Sequence, residues 1–256
     1  MSQLEIHQIP VLNDNYLYLF KDPESNAVGI VDPAEADPVL AKLDELGWSL
    51  THIINTHHHW DHTGANLELK EKTHCMIVGS HSDAERIPGI DITLKEGDIF
   101  EFGTQTAKIL EVSGHTLGHI AYWFENSNVL FCGDTLFALG CGRLFEGTPA
   151  QMWESLQKIK KLPDNTLICC AHEYTEANAE FAITVEPGNR KLLDRVGEIK
   201  AKRAQNIPTV PSTLLEEKET NPFLRPDSPG IIEELAMQDA DIVSVFAEIR
   251  HRKDTF

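Results

Sequence analysis

Positive charge is scarce in this chain: 22 Lys and Arg stand against 40 Asp and Glu, a formal net charge of -18. Holding nucleic acid by its phosphates needs a cationic face, so this balance argues against general nucleic-acid binding. Long apolar runs are missing too, which leaves nothing to span a bilayer as a helix. The opening M-S-Q-L-E-I-H-Q-I-P has no basic stretch followed by an apolar one, so no secretory signal is expected. Cysteine is sparse and odd in number: Cys75, Cys132, Cys141, Cys169 and Cys170, with no spacing that forms a framework. Three of them, Cys132, Cys169 and Cys170, lie inside apolar runs, where a thiol behaves as a small hydrophobe. Buried, inert thiols in a reducing cytoplasm are the expectation. Internal repeats, low-complexity tracts and long flexible linkers are also absent. What remains is ordinary globular composition over 256 residues, long enough for one large domain or a domain with a smaller companion.

Short β-rich runs bounded by turn residues predict strands near residues 4–9, 16–20, 27–31, 51–55, 75–78, 106–112, 120–124, 128–132 and 167–170. Asp37-Pro38 reads as a helix N-cap followed by first-turn proline, with Val39, Leu40, Leu43 and Leu46 as the buried stripe and Gly47 as the stop. Thr148-Pro149 repeats that opening; Met152, Trp153, Leu156 and Ile159 follow at helical spacing towards Pro163. Composition shifts after His172. Leu192, Leu193, Val196 and Ile199 predict one helix, and Ile242, Val245, Phe246 and Ile249 another, with no strand expected beyond residue 175. The expected division is therefore a strand-rich domain over 1–173 and a small helical domain over 174–256.

Four apolar runs end on histidine or aspartate: T-H-I-I-N-T on His57, His58, His59, Trp60, Asp61 and His62; A-K-I-L-E-V-S-G on His115; V-L-F-C-G on Asp134; and L-I-C-C-A on His172. Ligands gather beyond strand ends in layered α/β proteins. Seven donors on one rim are too many for one four-coordinate ion and suit two. In an extended segment His57 and His59 share a side, while His58 and Trp60 face away into packing. A turn would then carry Asp61 and His62 to a neighbouring ion. Asp134 has two oxygens with which to bridge, and Gly133 beside it permits close backbone approach. Imidazole and carboxylate suit zinc, iron or manganese. His7, His52, His74, His81, His119 and His251 read as surface or satisfied core residues. Without a metal, four histidines and an aspartate in six residues would be costly to bury.

T-H-H-H-W-D-H resembles the T-H-x-H-x-D-H signature of the metallo-β-lactamase superfamily; G-H-T-L-G-H, F-C-G-D-T-L-F and A-H-E-Y resemble its further metal motifs. With the helical tail, the resemblance covers nearly the whole chain and is nearest to the hydroxyacylglutathione hydrolase (glyoxalase II) family. It implies an α/β fold, an αβ/βα sandwich of two mixed sheets with a small C-terminal helical domain for substrate. It also implies two divalent ions per chain, zinc first and iron or manganese as alternatives. His57, His59 and His115 would hold one ion, Asp61, His62 and His172 the other, and Asp134 would bridge. A water between such ions is acidic enough to supply hydroxide near neutral pH. Asp61 and Asp134 are the expected catalytic carboxylates.

Two places bear on the substrate. The G-C-G-R-L-F-E-G segment puts Arg143, a forked donor for a carboxylate, in a glycine-bounded loop. Arg250 and Lys253 stand one turn apart on the last helix, either as an anion pocket or as a solvated basic helix end. The resemblance implies that Arg143, Tyr174, Arg250 and Lys253, with Asn178 one turn beyond Tyr174, contact the glutathione half of a substrate. Phe145 departs from the tyrosine that some members carry. The expected reaction is hydrolysis of S-D-lactoylglutathione, or other 2-hydroxyacyl glutathione thioesters, to glutathione and D-lactate, a step of methylglyoxal detoxification. The expected setting is cytoplasmic and monomeric, with no nucleic-acid, membrane or obligate protein partner. Alternatives are a mononuclear iron dioxygenase acting on glutathione persulfide, a nuclease, a β-lactamase and a non-catalytic metal-binding protein. Against the last three stand, in turn, the acidic charge, the absence of a cysteine ligand and the full set of donors.

Overall fold

The computed structural model describes residues 2–256. The described chain forms two compact units, one running through residue 111 with 117–133 and the other residues 112–116 with 134–256.

In the first unit, β1 (Glu5–Val11), β2 (Asn15–Lys21), β3 (Val28–Val31), β4 (His52–Ile54), β5 (Met76–Ser80) and β6 (Ile92–Leu94) lie side by side in chain order. The first three are antiparallel and the rest parallel. Parallel neighbours need crossovers, supplied by α1 (Ala36–Leu46) between β3 and β4, and by α2 (Trp60–Thr63) and α3 (Asn66–Thr73) between β4 and β5. α1 opens two residues earlier than its sequence predicts: Glu35 takes the cap position without a side-chain bond. Asp37 instead sits in the first turn, where its charge suits the helix dipole. Gly47, at φ 65°, closes the helix as expected. Val39 and Leu43 of α1 and Leu69 of α3 bury against Leu19, Ile30, Ile53 and Ile77 of the sheet.

A second layer, β7 (Ile99–Phe102), β8 (Gln105–Glu111), β9 (Ile120–Phe124) and β10 (Val129–Gly133), is an antiparallel meander. Phe20 of β2 fills the space between the layers, its ring 4.6, 5.6 and 5.1 Å from those of Phe102, Phe124 and Phe131. The predicted strands recur with small shifts at their ends, whereas β6 and β7 were not foreseen. The exposed-buried alternation of β7 is a strand signal too short to stand out in sequence.

The second unit holds the hairpin β11 (Leu136–Phe137) and β12 (Gly140–Cys141), α4 (Pro149–Lys160), β13 (Leu167–Cys170), α5 (Thr175–Val185), α6 (Arg190–Arg203), β14 (Ser212–Thr213), α7 (Leu214–Thr220), α8 (Pro229–Glu234) and α9 (Ile242–Thr255). α4 starts on a full capping box, Thr148 with Gln151, as the Thr-Pro pair suggested. One strand does lie beyond residue 175, contrary to expectation: β14 pairs antiparallel with β13 over two residues, too few to leave a periodic trace. Leu139, Ala179, Ala182, Leu192, Val196 and Ile199 make one core of this unit. Trp153 of α4 packs on Phe246 of α9 at 5.9 Å.

Candidate metal centre and anion site

Apolar β4 delivers the chain to Thr56 and His57, both fully buried. His59, at φ -58° and ψ 148°, then leads into α2. His57 Nε2 and His59 Nδ1 come to 3.0 Å, the pairing that two-residue spacing predicts. On α2, His62 Nε2 lies 3.3 Å from Asp61 Oδ2. His58 faces elsewhere, its Nδ1 3.0 Å from Asp83. Trp60, expected to pack, is 70% exposed, because it opens the helical turn on its outer face. His119 behaves as the satisfied core histidine expected: it is buried, donates to its neighbour's Ile120 carbonyl, and stacks on His57 at 4.6 Å.

Three residues that sequence reading missed organise this half. Asp32, at the end of β3 with φ 49°, accepts from Thr56 N at 2.7 Å and Thr56 Oγ1 at 2.6 Å. Its Oδ2 lies 3.1 Å from His62 Nδ1. A carboxylate accepts there, so His62 carries its proton on Nδ1 and leaves Nε2 as a lone pair. The Thr56 hydroxyl hydrogen points to Asp32, so at 3.1 Å from His57 Nδ1 its oxygen accepts; His57 is likewise left with a basic Nε2. Asp32, His57 and His62 cluster closely enough to suggest a site of their own, but the hydrogen bonds of Asp32 make it the orienting group. Asn15 Nδ2 donates to Asp61 Oδ2 at 3.2 Å. Asp32 was legible: V-G-I-V-D is one more apolar run ending on aspartate. Asn15 and Thr56 have no comparable sign.

In the second unit His115 Nδ1 donates to Arg143 O at 2.8 Å, which again frees Nε2. That nitrogen stands 3.5 Å from Asp134 Oδ2, and His172 Nε2 stands 3.4 Å from Asp134 Oδ1. Each carboxylate oxygen thus has its own histidine, as a bridging ligand requires. Two ligands about 2.0–2.1 Å from a tetrahedral ion lie roughly 3.3–3.4 Å apart. The donor set and its separations fit divalent metal. Gly133 and Gly142 permit the close approaches: a Cβ would come 2.2 Å from Thr56 Oγ1 at the first and 2.0 Å from Asp134 O at the second.

The basic residues gather in this same unit. Arg143 is exposed and Lys253 half-buried. Burial lowers the Lys253 pKa, helped by the nearby charges of Arg250 and Arg143. Lys253 Nζ donates to Ala177 O at 3.0 Å. Arg250, 5% exposed, donates to Cys141 O at 2.8 Å and lies over the Phe223 ring. Asn178 is turned inward, donating to Ala138 O at 3.1 Å. Tyr174, 38% exposed, stacks on His172 at 4.7 Å. Phe145 is exposed and meets the His115 ring edge-on at 5.1 Å. None of the five cysteines forms a disulfide, and all are buried. Burial pushes Cys141 up to about 11 and Cys170 up to about 12, so neither offers a thiolate near neutral pH.

Residues 17–172 match the metallo-beta-lactamase superfamily model, and residues 173–256 match the hydroxyacylglutathione hydrolase C-terminus model. The chain is 58% identical over 253 residues to a hydroxyacylglutathione hydrolase of Methylococcus capsulatus, covering 99% of each chain. It is 54% identical over the full length of both chains to one from Rhodospirillum rubrum. Among solved structures it resembles ETHE1 from Myxococcus xanthus, with TM-score 0.68, 24% identity and coverage of 98% and 99%. That likeness shows the fold, an αβ/βα arrangement of two mixed sheets with a helical C-terminal region. Such full-length identity, carried through both family models, makes this chain a member of the hydroxyacylglutathione hydrolase family within the metallo-β-lactamase superfamily.

Proposed function

We propose that the protein hydrolyses S-D-lactoylglutathione and related 2-hydroxyacyl glutathione thioesters, adding water across the C–S bond to release D-lactate and glutathione. The observation that carries this reading is that His115 and His172 each face a different oxygen of Asp134, in the same compact unit as the Arg143, Arg250 and Lys253 cations. Relatives named hydroxyacylglutathione hydrolase support the substrate class.

His57, His59 and His115 are proposed to hold one divalent ion, Asp61, His62 and His172 a second, and Asp134 both, with zinc first and iron or manganese as alternatives. Bound there, such ions would bring the pKa of water to about 7 and polarise the thioester carbonyl. Asp61, steadied by Asn15, orients the attacking water. Asp32 and Thr56 keep the ligating nitrogens of His62 and His57 unprotonated. Arg143 and Lys253 hold the peptide carboxylates, with Tyr174, Asn178 and Arg250 completing that pocket over residues 174–256. A thiol leaving group of pKa about 8.5 departs as thiolate without a protein acid. Buried cysteines without disulfides support a reducing, cytoplasmic setting, and we take the monomer as the working unit.

The test is anaerobic turnover of S-D-lactoylglutathione by protein of known metal content, followed by loss of thioester absorbance. Hydrolysis with close to two metals per chain is expected. No hydrolysis from a filled site, with oxygen consumed on glutathione persulfide, would replace this reading by the dioxygenase.

A further inference from the structure

The hairpin between Asp134 and Arg143 is held in an unusual way. Leu139 at its turn has φ +57°, a conformation costly for a side chain branched beyond Cβ. It is nevertheless fully buried among Ala179, Ala182, Leu192, Val196 and Ile199. Each residue from Phe137 to Cys141 has a backbone atom bonded to a side chain from the C-terminal helical region. Asn221 Nδ2 donates to Phe137 O and Gly140 O, both at 3.0 Å. Asn178 Nδ2 donates to Ala138 O and Arg250 Nη1 to Cys141 O. Leu139 N donates to Glu217 Oε2 at 2.9 Å.

Glu217 and Asn221 are the hub of this grip. Both are 0% exposed. Asn221 Nδ2, whose two hydrogens are shared among three acceptors, also lies 3.0 Å from Glu217 Oε2, and its own Oδ1 accepts from Phe223 N. The other Glu217 oxygen takes Arg195 at 2.5 Å, and Arg195 reaches Thr220 Oγ1 at 2.7 Å. A buried ion pair is a poor device for stability alone, since apolar packing does as well. Its value lies in fixing one register through directional bonds. The register fixed here is that of the segment joining Asp134 to Arg143.

We propose that Glu217 and Asn221, which touch no substrate, are positioning residues that hold the 137–141 hairpin and thereby set Arg143 for the peptide half of the substrate. The proposal rests on the glutathione-thioester reading above. It makes the buried network a determinant of preference between a glutathione thioester and a smaller thioester of the same acid.

The experiment compares kcat and KM for S-D-lactoylglutathione and for the D-lactoyl thioester of N-acetylcysteamine, which lacks the peptide carboxylates. Wild type, Asn221→Ala and the milder Glu217→Gln are measured alongside metal content and hydrogen exchange at the Leu139 amide. The expected result is faster exchange at Leu139 and unchanged metal content. The kcat/KM ratio of large to small thioester should fall about tenfold, through KM of the large one. An unchanged ratio in Glu217→Gln with a loosened Leu139 amide overturns the proposal. So does a parallel loss on both thioesters, which marks a purely structural role. Wild type that is inactive on both, with Leu139 protected, overturns the functional reading and with it the purpose assigned to the hairpin.

Discussion

His57 and His62 owe their usable nitrogens to a residue that binds no metal in this arrangement. Asp32 accepts the Thr56 hydroxyl hydrogen bond and faces the Nδ1 of His62, so both rings present Nε2 as a lone pair. Orienting carboxylates of this kind typically change metal affinity 10- to 100-fold when removed. Asp32→Asn should therefore weaken metal binding by about that factor in a chelator competition, while the protein stays folded. The basic residues divide by environment. Half-buried Lys253 should, as alanine, raise KM for the glutathione thioester with little change in kcat. Arg250 is buried on Cys141 O and Phe223, so Arg250→Ala should raise KM and also lower Tm. Equal melting temperatures for the two variants would contradict that distinction.

Among the elements, α4 shows how far local chemistry reaches. Thr148 accepts from Gln151 N while Gln151 bonds back to the Thr148 amide, and the Thr-Pro pair announces this in sequence. Thr148→Ala should cost about 1 kcal/mol in urea unfolding, with the m-value unchanged. α1 shows the limit of the same reading. An Asp-Pro pair suggested a cap, yet the helix begins at Ala36 behind Glu35; proline is tolerated throughout a first turn, so its position marks a helix start only to within about two residues. Strands were legible where several β-favouring residues ran together or alternated between turn residues. The two-residue strands β11, β12 and β14 were not, since so short a run has no period.

Across the whole molecule, acid should act on both units through carboxylates with lowered pKa. Burial would raise the pKa of Asp22, but hydrogen bonds from Thr104, Ser25 and Glu24 outweigh it. Burial would likewise raise Glu186, and Arg225, Ser228 and Asn189 outweigh it. A carboxylate whose folded pKa is depressed contributes stability above its unfolded pKa and loses it as pH falls through the folded value. The contribution of these two carboxylates should thus be level above about pH 5 and decline below the ordinary values of 3.8 and 4.5. Arg225→Ala should lower stability at pH 7 and flatten that decline, as followed by urea midpoints across the acid range.

Residue type and spacing alone determined the donor classes, the strands that carry them and the acidic surface that argues against nucleic acid, because these depend on near neighbours in the chain. His57 with His59, and Asp61 with His62, were legible from local periodicity. The tertiary structure alone decided which ring nitrogen each histidine presents, since that proton is placed by Asp32, Thr56 and the Arg143 carbonyl from distant positions. It also decided that Asn178, Glu217, Asn221 and Arg250 converge on one hairpin. Such hydrogen bonds join residues up to 109 positions apart, and no local pattern records them.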